Sequence, residues 1–573
     1  MKFANTLLPW DATRLIPDIS AGLIIAIMLV PQAIAYAFLA GLPPEAGLFA
    51  SLLPLLAYAL LGSSPTLAVG PVAIISLMTL DALHGVVEVS GANYPAYATL
   101  LAAMTGTWLL IFFTIGLGSW TSFISHSVIS GFTSAAALVI IISQLTYFTG
   151  LEVPRGGPGW EPLRFTVEHW WDIALTPVLL GIGGIILVLI WQRMIPVVSA
   201  RLKLNSSLAT LVNRSGPLIL IVSATLVTLG FQLNTDTVGM IPSGLPSLSF
   251  PAVSTMNWQA LLLPSAILAL IIFLESLSIA NTMAREQKRR ILPNQELLAL
   301  GIANLAASIT QAMPVAGGFG RSMVMVSSGA RSQWAAVVTF IAMVIVALVA
   351  GRWFQYLPEA ILGAIITVAT WPLFRWQDGW KAWKFQRSDG LVWFVTFATV
   401  LGTNAETGII TGVGLSLFLY LKRTSQPHIA EVGRIENTDQ FRNILRHKVQ
   451  TTSGIMLIRV DENLYFANSD FLVDYILGKV LRNHDLRHVV IVGTAINHID
   501  FCGVEALELL HDRLLEQNIQ LNLAEFKGPV MDQLARSDLL KHLSAKQVFF
   551  TASEALKSLQ NTDKSKDDDF YII

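Results

Sequence analysis

An α-helical membrane domain followed by a smaller soluble α/β domain is the fold class this 573-residue sequence predicts, on three observations. Charged residues make up 13% of the chain and hydrophobic residues 53%, with mean hydropathy +0.60. A soluble globular chain carries about 25% charged residues. The deficit is uneven: no Asp, Glu, Lys or Arg falls between Asp18 and Glu45, between Glu45 and Asp81, or between Glu88 and Glu152. After Lys422 charge runs throughout, a shift that marks a domain boundary. Lipid solvates the first part and water the second.

A spanning helix needs about 20 apolar residues. Candidate segments are 18–40, 46–62, 70–86, 96–116, 122–147, 174–195, 215–233, 258–284, 294–311, 319–330, 333–351, 357–374, 389–404 and 407–421. The tenth is too short to cross alone. Fourteen segments return both termini to one side, and Lys and Arg mark that side as cytoplasmic. They are Arg14; Arg193, Arg201, Lys203 and Arg214; Arg285, Lys288, Arg289 and Arg290; Arg375, Lys381, Lys384 and Arg387; and Lys422 and Arg423. The 148–173 loop on the other face is mainly acidic (Glu152, Glu161, Glu168, Asp172).

Beyond His428 the pattern changes. GIMLIRVDENLYFAN reads as paired strands, DFLVDYILGKVLRN as an amphipathic helix and HVVIVGTA as a buried strand. FCGVEALELLHDRLLEQN is a helix, IQLNLAEF a strand, and helices alternate with a short strand, QVFF, to about residue 560. That alternation predicts a layered α/β domain. The expected division is 1–425 for the membrane domain, 440–560 for the α/β domain and 561–573 for a polar, disordered tail.

Several function classes are excluded. Net charge is −1 and no basic arm suits nucleic acid. The lone Cys502 permits no intramolecular disulfide and fits a reducing cytoplasm. The start, MKFANTLLPWDATRLIPD, has no removable signal pattern. No Walker loop, metal-spaced His/Cys cluster or catalytic triad occurs, so neither an enzyme, a cofactor nor an ATP-driven pump is expected.

Two places in the apolar part break ordinary helix rules. In LAVGPVAIISLMTL, Gly70-Pro71 precede an apolar run, and proline suits a first helical turn. In PVAGGFGRSMVMVSSGA, three glycines precede Arg321-Ser322. Both read as short helices that begin inside the membrane, where irregular backbone must be buried or line a cavity. One break per half points to a midplane site between inverted repeats. Helix starts expose unpaired N–H groups and about half a positive charge, so two facing starts would hold an anion. Arg321 adds a permanent charge there, or else snorkels or braces a carbonyl. Glu275, alone in ILALIIFLESLSIANTMA, is a candidate for carrying a proton or neutralising sodium, or else for a structural pair, for instance with Arg321. Gln32 and Tyr36 share a face of the first span and either contact a ligand or join helices.

The run VPQAIAYAFLAGLPPEAGLFASLLPLLAYALLGSSPTLAVGPVAIISLM resembles the first membrane segments of the SulP family of sulfate permeases and anion exchangers. NQELLALGIANL, GGFGRSMVMVSSGARS and LPEAILGAIITVA extend the match, and the soluble part resembles a STAS domain. The resemblance implies a seven-plus-seven inverted repeat, with core and gate domains, and a homodimer. It implies an anion held between the third and tenth helices by Gln32, Tyr36, Val72, Ala73, Gly320, Arg321 and Ser322, with Glu275 at the proton- or sodium-coupling position. In STAS-fold anti-sigma-factor antagonists a phosphorylated serine occupies a segment like INHIDFCGVEAL; this chain has Cys502 there.

The expected function is sulfate symport by alternating access, coupled to protons or sodium, in a bacterial inner membrane. The STAS domain would serve dimer contact, regulation or recruitment of a cytosolic protein. Bicarbonate or dicarboxylate symport, or anion exchange, is the alternative within transport. A membrane-anchored STAS scaffold or sensor is the alternative outside it. A nucleobase carrier fits less well, because Arg321 and the STAS-like tail argue against it.

Overall fold

Helices form wherever the apolar runs lie, and Gly and Pro decide where they break. The computed structural model describes residues 12–568 apart from 85, 88–90, 92, 119–124, 154–157, 203–208, 210, 211, 214, 240–243, 252–255, 287, 350–354 and 484. Lys203 and Arg214 therefore lie outside the described residues, as do the side chains of Arg14 and Arg285. Two compact units divide the chain, Met1–Ser416 and Leu417–Ile573.

The first half of the membrane part holds α1 (Ala12–Leu39), the broken pair α2 (Pro44–Phe49) and α3 (Leu53–Leu61), β1 (Val69–Gly70), α4 (Ala73–Leu83) and α5 (Tyr94–Thr114). There follow α6 (His126–Ser143), α7 (Leu145–Thr149), α8 (Glu161–Glu168), α9 (Leu175–Arg201) and α10 (Gly216–Phe231). The second half holds α11 (Leu262–Glu286), α12 (Pro293–Ile309), β2 (Ala316–Gly317), α13 (Phe319–Ser327) and α14 (Trp334–Val349). It closes with α15 (Glu359–Thr370), α16 (Trp376–Phe385), α17 (Arg387–Gly402) and α18 (Ala405–Thr424). Every expected span has its helix, and each half places a two-residue strand and a short helix third in order.

Packing sorts these elements into two groups. In the core, α1 packs on α14, and α12 on α3 and α5. In the gate, α6 packs on α17 and α9 on α15. The α5–α12 contact is backbone to backbone: a Cβ on Gly106 would sit 2.9 Å from the Gly301 carbonyl oxygen, and one on Gly301 3.2 Å from that of Gly106. Small residues permit that approach where lipid supplies no hydrophobic drive between helices. Only 17% of the most apolar stretch of α9 is buried by protein, so hydrocarbon must be the solvent for the rest.

Two helices were not expected. α8 lies in the loop read as acidic, and α16 fills the gap between the twelfth and thirteenth segments. Trp376 of α16 packs edge-on against Trp393, Phe394 and Phe397 of α17, and Trp380 and Trp383 against Phe394. The Trp376/Trp380/Trp383 spacing, with Lys381 and Lys384 each following a tryptophan, is the legible signal of an interfacial helix.

One buried carboxylate braces the core. Glu296 accepts from the Ser63 amide (2.8 Å), the Ser63 hydroxyl (2.7 Å) and the Tyr58 hydroxyl (2.7 Å), tying α12 to the end of α3. Glu296→Ala strands the fully buried Tyr58 hydroxyl and two half-buried Ser63 donors and should cost about 3 kcal/mol. Thermal unfolding of the purified protein checks this; a midpoint equal to wild type would show that the brace is dispensable.

The second unit carries β3 (Ile429–Arg434), β4 (Phe441–Asn443), β5 (Ile455–Val460), α19 (Ser469–Val480), β6 (His488–Val492) and α20 (Phe501–Leu515). β7 (Gln520–Ala524), α21 (Gly528–Leu534), α22 (Leu539–His542), β8 (Val548–Phe549) and α23 (Ala552–Asp568) follow. Sheet order is β4-β3-β5-β6-β7-β8, with β3 antiparallel to both neighbours and β5 to β8 parallel. Leu472, Ile476, Leu507, Leu510, Val530 and Leu539 cover one face, and Ala555, Leu556 and Leu559 of α23 the other.

One strand assignment is corrected. GIMLIRVDENLYFAN holds a single strand, β5, whose antiparallel partner β3 precedes it in sequence. Its polar second half turns instead, with Asn468 Oδ1 accepting from the Tyr465 amide at 3.0 Å. α23 runs to Asp568, so the polar tail assigned to 561–573 begins inside a helix; 569–573 lie outside the described residues.

Candidate anion-binding site

β1 and β2 cross in the middle of the core as an antiparallel pair, Val69 opposite Gly317 and Gly70 opposite Ala316. Each strand runs straight into a short helix. α4 has eleven residues and α13 nine. At about 1.5 Å per residue neither crosses a bilayer of about 30 Å. The backbone polar groups of this irregular stretch are satisfied inside the protein. Gly318 N donates to Ala68 O (2.9 Å), Gly317 N to Ser276 Oγ (2.9 Å) and Val315 N to Asn304 Oδ1 (2.9 Å).

Both helix starts lack a side-chain cap, with Val72 and Gly318 at the cap positions. The first return bonds are Ser76 N to Val72 O (2.9 Å) and Ser322 N to Gly318 O (3.0 Å). The amides of Ala73, Ile74 and Ile75, and of Phe319, Gly320 and Arg321, therefore have no intrahelical acceptor.

Arg321 joins the two starts. It is 3% exposed, and its Nη1 donates to Pro71 O at 2.8 Å with Gln32 Oε1 at 3.5 Å. Its Nε and Nη2 have no hydrogen-bond partner among the described residues. Glycine makes room for this pose: a Cβ on Gly318 would stand 2.6 Å from Nη2, and one on Gly70 3.5 Å from it.

A cavity of about 420 Å³ opens beside the guanidinium. Gln32, Tyr36, Val72, Ala73, Glu275, Gly320 and Arg321 line it from the core. A Cβ on Gly320 would meet nothing within 4 Å, so that position faces open space. Glu275 shares the cavity with Arg321 without a salt bridge between them, and its Oε2 is buried with no partner among the described residues. Ser322 does not line the cavity. Its hydroxyl donates to Gly318 O (2.8 Å) and accepts from Ala68 N (3.0 Å), so it braces the strand crossing.

Sequence reasoning missed the facing wall. Trp191, Gln192, Asn213, Gly216, Ile365 and Thr370 line the cavity from the gate. A second cavity of about 170 Å³ lies at the other end of α4, lined by Leu77, Leu80, Asp81 and His84 together with Phe38 of α1 and Ala405 of α18.

Helix-start amides without intrahelical acceptors, a buried cation with unspent N–H groups and a cavity between two packed groups of helices are the features of a multi-pass membrane carrier for an anion. The Sulfate permease family profile matches residues 15–396 and the STAS domain profile 446–555. Sulfate transporter 4.1, chloroplastic, of Arabidopsis thaliana is 34% identical over 97% of this chain and 82% of its own length. A protein of Mycobacterium tuberculosis named a probable sulfate transporter is 29% identical, covering 95% of both chains. The murine Solute Carrier 26 family member A9 structure in the inward-facing state superposes with TM-score 0.87 at 23% identity, over 96% of this chain and 92% of that one. This chain belongs to the sulfate permease family: it is a transporter, not an enzyme, with fourteen membrane segments in two inverted sevens and a C-terminal STAS domain.

Proposed function

We propose that the chain carries sulfate inward by symport with a proton or sodium ion. The observation that carries this reading is the pair of unspent Arg321 N–H groups beside two uncapped helix starts, facing the same cavity as the unpartnered Glu275 oxygen. Donors of this kind replace the water that a dianion sheds on entering a low-dielectric site. A carboxylate in that site opposes anion binding while it is ionised. Loading Glu275 with a proton or a sodium ion removes the repulsion, which couples the two solutes. The sulfate named for the Arabidopsis and Mycobacterium relatives supports the choice of anion.

The basic residues Arg193, Arg201, Lys288, Lys381, Lys384 and Lys422 support cytoplasmic termini in a bacterial inner membrane. The STAS domain serves dimer contact, regulation or binding of a cytosolic protein. Purified protein in liposomes tests the reading. Sulfate uptake should rise with an inward proton or sodium gradient, and indifference to both gradients would remove the coupling claim. Faster uptake of bicarbonate or a dicarboxylate in the same assay would reassign the anion.

A further inference from the structure

The gate wall of the large cavity is mostly apolar: Val188, Pro217, Ile365, Val368, Pro372 and Leu373. Thr370, the last residue of α15, stands among them. It is 1% exposed, and its hydroxyl has no hydrogen-bond partner among the described residues. That is unusual for a helical threonine here. Thr367, nearly one turn earlier, donates to Gly363 O at 2.8 Å, and Thr79, Thr339 and Thr396 likewise donate to the carbonyl four residues back. Among the described residues, the buried threonine hydroxyls left without a partner are those of Thr105, Thr225, Thr228 and Thr370, and only Thr370 lines this cavity. A buried hydroxyl left unpaired is costly, so it is retained where something else receives its hydrogen bond. Of the other polar groups on the same wall, Trp191 Nε1 donates to Val212 O at 3.0 Å and Gln192 is exposed. Asn213 Oδ1 is also buried with no partner among the described residues, but an amide oxygen only accepts and gives an anion nothing.

We propose that Thr370 is a specificity-determining contact, donating from the gate to an oxygen of an anion that the core holds at Arg321. The inference rests on the anion reading above and deepens it. A ligand held from both walls needs acceptor atoms pointing in different directions. A tetrahedral or trigonal oxyanion has them; a halide offers a single centre. The neutral donor also adds affinity without a second cation, so the anion is not trapped as it passes from one wall to the other.

Equilibrium binding of radiolabelled sulfate to the purified full chain, with chloride as competitor, tests this. Thr370→Val should weaken sulfate binding about tenfold while leaving the chloride inhibition constant within about twofold, and Thr370→Ser should stay within about twofold of wild type for both. Unchanged sulfate affinity in Thr370→Val, equal loss for sulfate and chloride, or failure of Thr370→Ser to restore binding would each overturn the assignment. Arg321→Ala separates the two readings. Sulfate binding lost there but unchanged in Thr370→Val rejects the Thr370 contact alone. Absence of saturable sulfate binding in the unsubstituted chain rejects the sulfate reading and this inference with it.

Discussion

Arg321→Ala should abolish measurable sulfate binding, weakening it by at least about a hundredfold. Charge-assisted hydrogen bonds in a water-poor site are worth about twice neutral ones, and two N–H groups of this guanidinium are unspent. The substitution also removes the bond to Pro71 O that ties the start of α13 to the start of α4. Arg321→Lys separates these effects. A lysine keeps the charge but loses the planar fork, so it should recover part of the affinity and none of the geometric selectivity. Isothermal titration of sulfate into each purified variant checks this, with thermal midpoints confirming that the variants fold. Wild-type affinity in Arg321→Ala would place the anion elsewhere.

Glu275→Gln should leave the fold intact and remove the dependence of uptake on the driving gradient. The side chain lines the cavity with Arg321, makes no salt bridge to it and keeps one oxygen unpartnered, so the amide displaces no bond of that oxygen. The variant mimics the protonated acid and can bind neither a proton nor sodium as a carboxylate does. Sulfate should bind at least as tightly as in wild type, because a repulsive charge is gone. Accumulation against a concentration difference should vanish while exchange of labelled for unlabelled sulfate persists. A variant that still concentrates sulfate under a proton or sodium gradient would assign coupling to another group.

Much of this is legible in the amino-acid sequence. Arg321 and Glu275 stood out because a charge in a long uncharged stretch has few tolerable positions. The two short helices were visible because glycine and proline interrupt apolar runs where a bilayer permits no loose backbone. Ser322, expected beside Arg321 at the site, faces away from the cavity for a reason of helical phase. Neighbours on a helix differ by about 100° in direction, so when Arg321 turns to the cavity Ser322 turns to the strand crossing. Thr370 was hidden by its ordinary setting, since the sequence cannot reveal which hydroxyl finds the carbonyl behind it and which does not. The β3–β4 hairpin was missed because its strands are short and half polar, and its pairing with β5 crosses a stretch with no clear period.

The eleven residues of α4 and the caps at its two ends touch two chambers: Val72 and Ala73 at one end face the Arg321 cavity, while Leu77, Leu80, Asp81 and His84 toward the other face the smaller one. A rod that short, with no proline or glycine within it, transmits displacement instead of absorbing it. Tilting it must widen one room and narrow the other in a single stroke, like the beam of a balance whose pans cannot both descend.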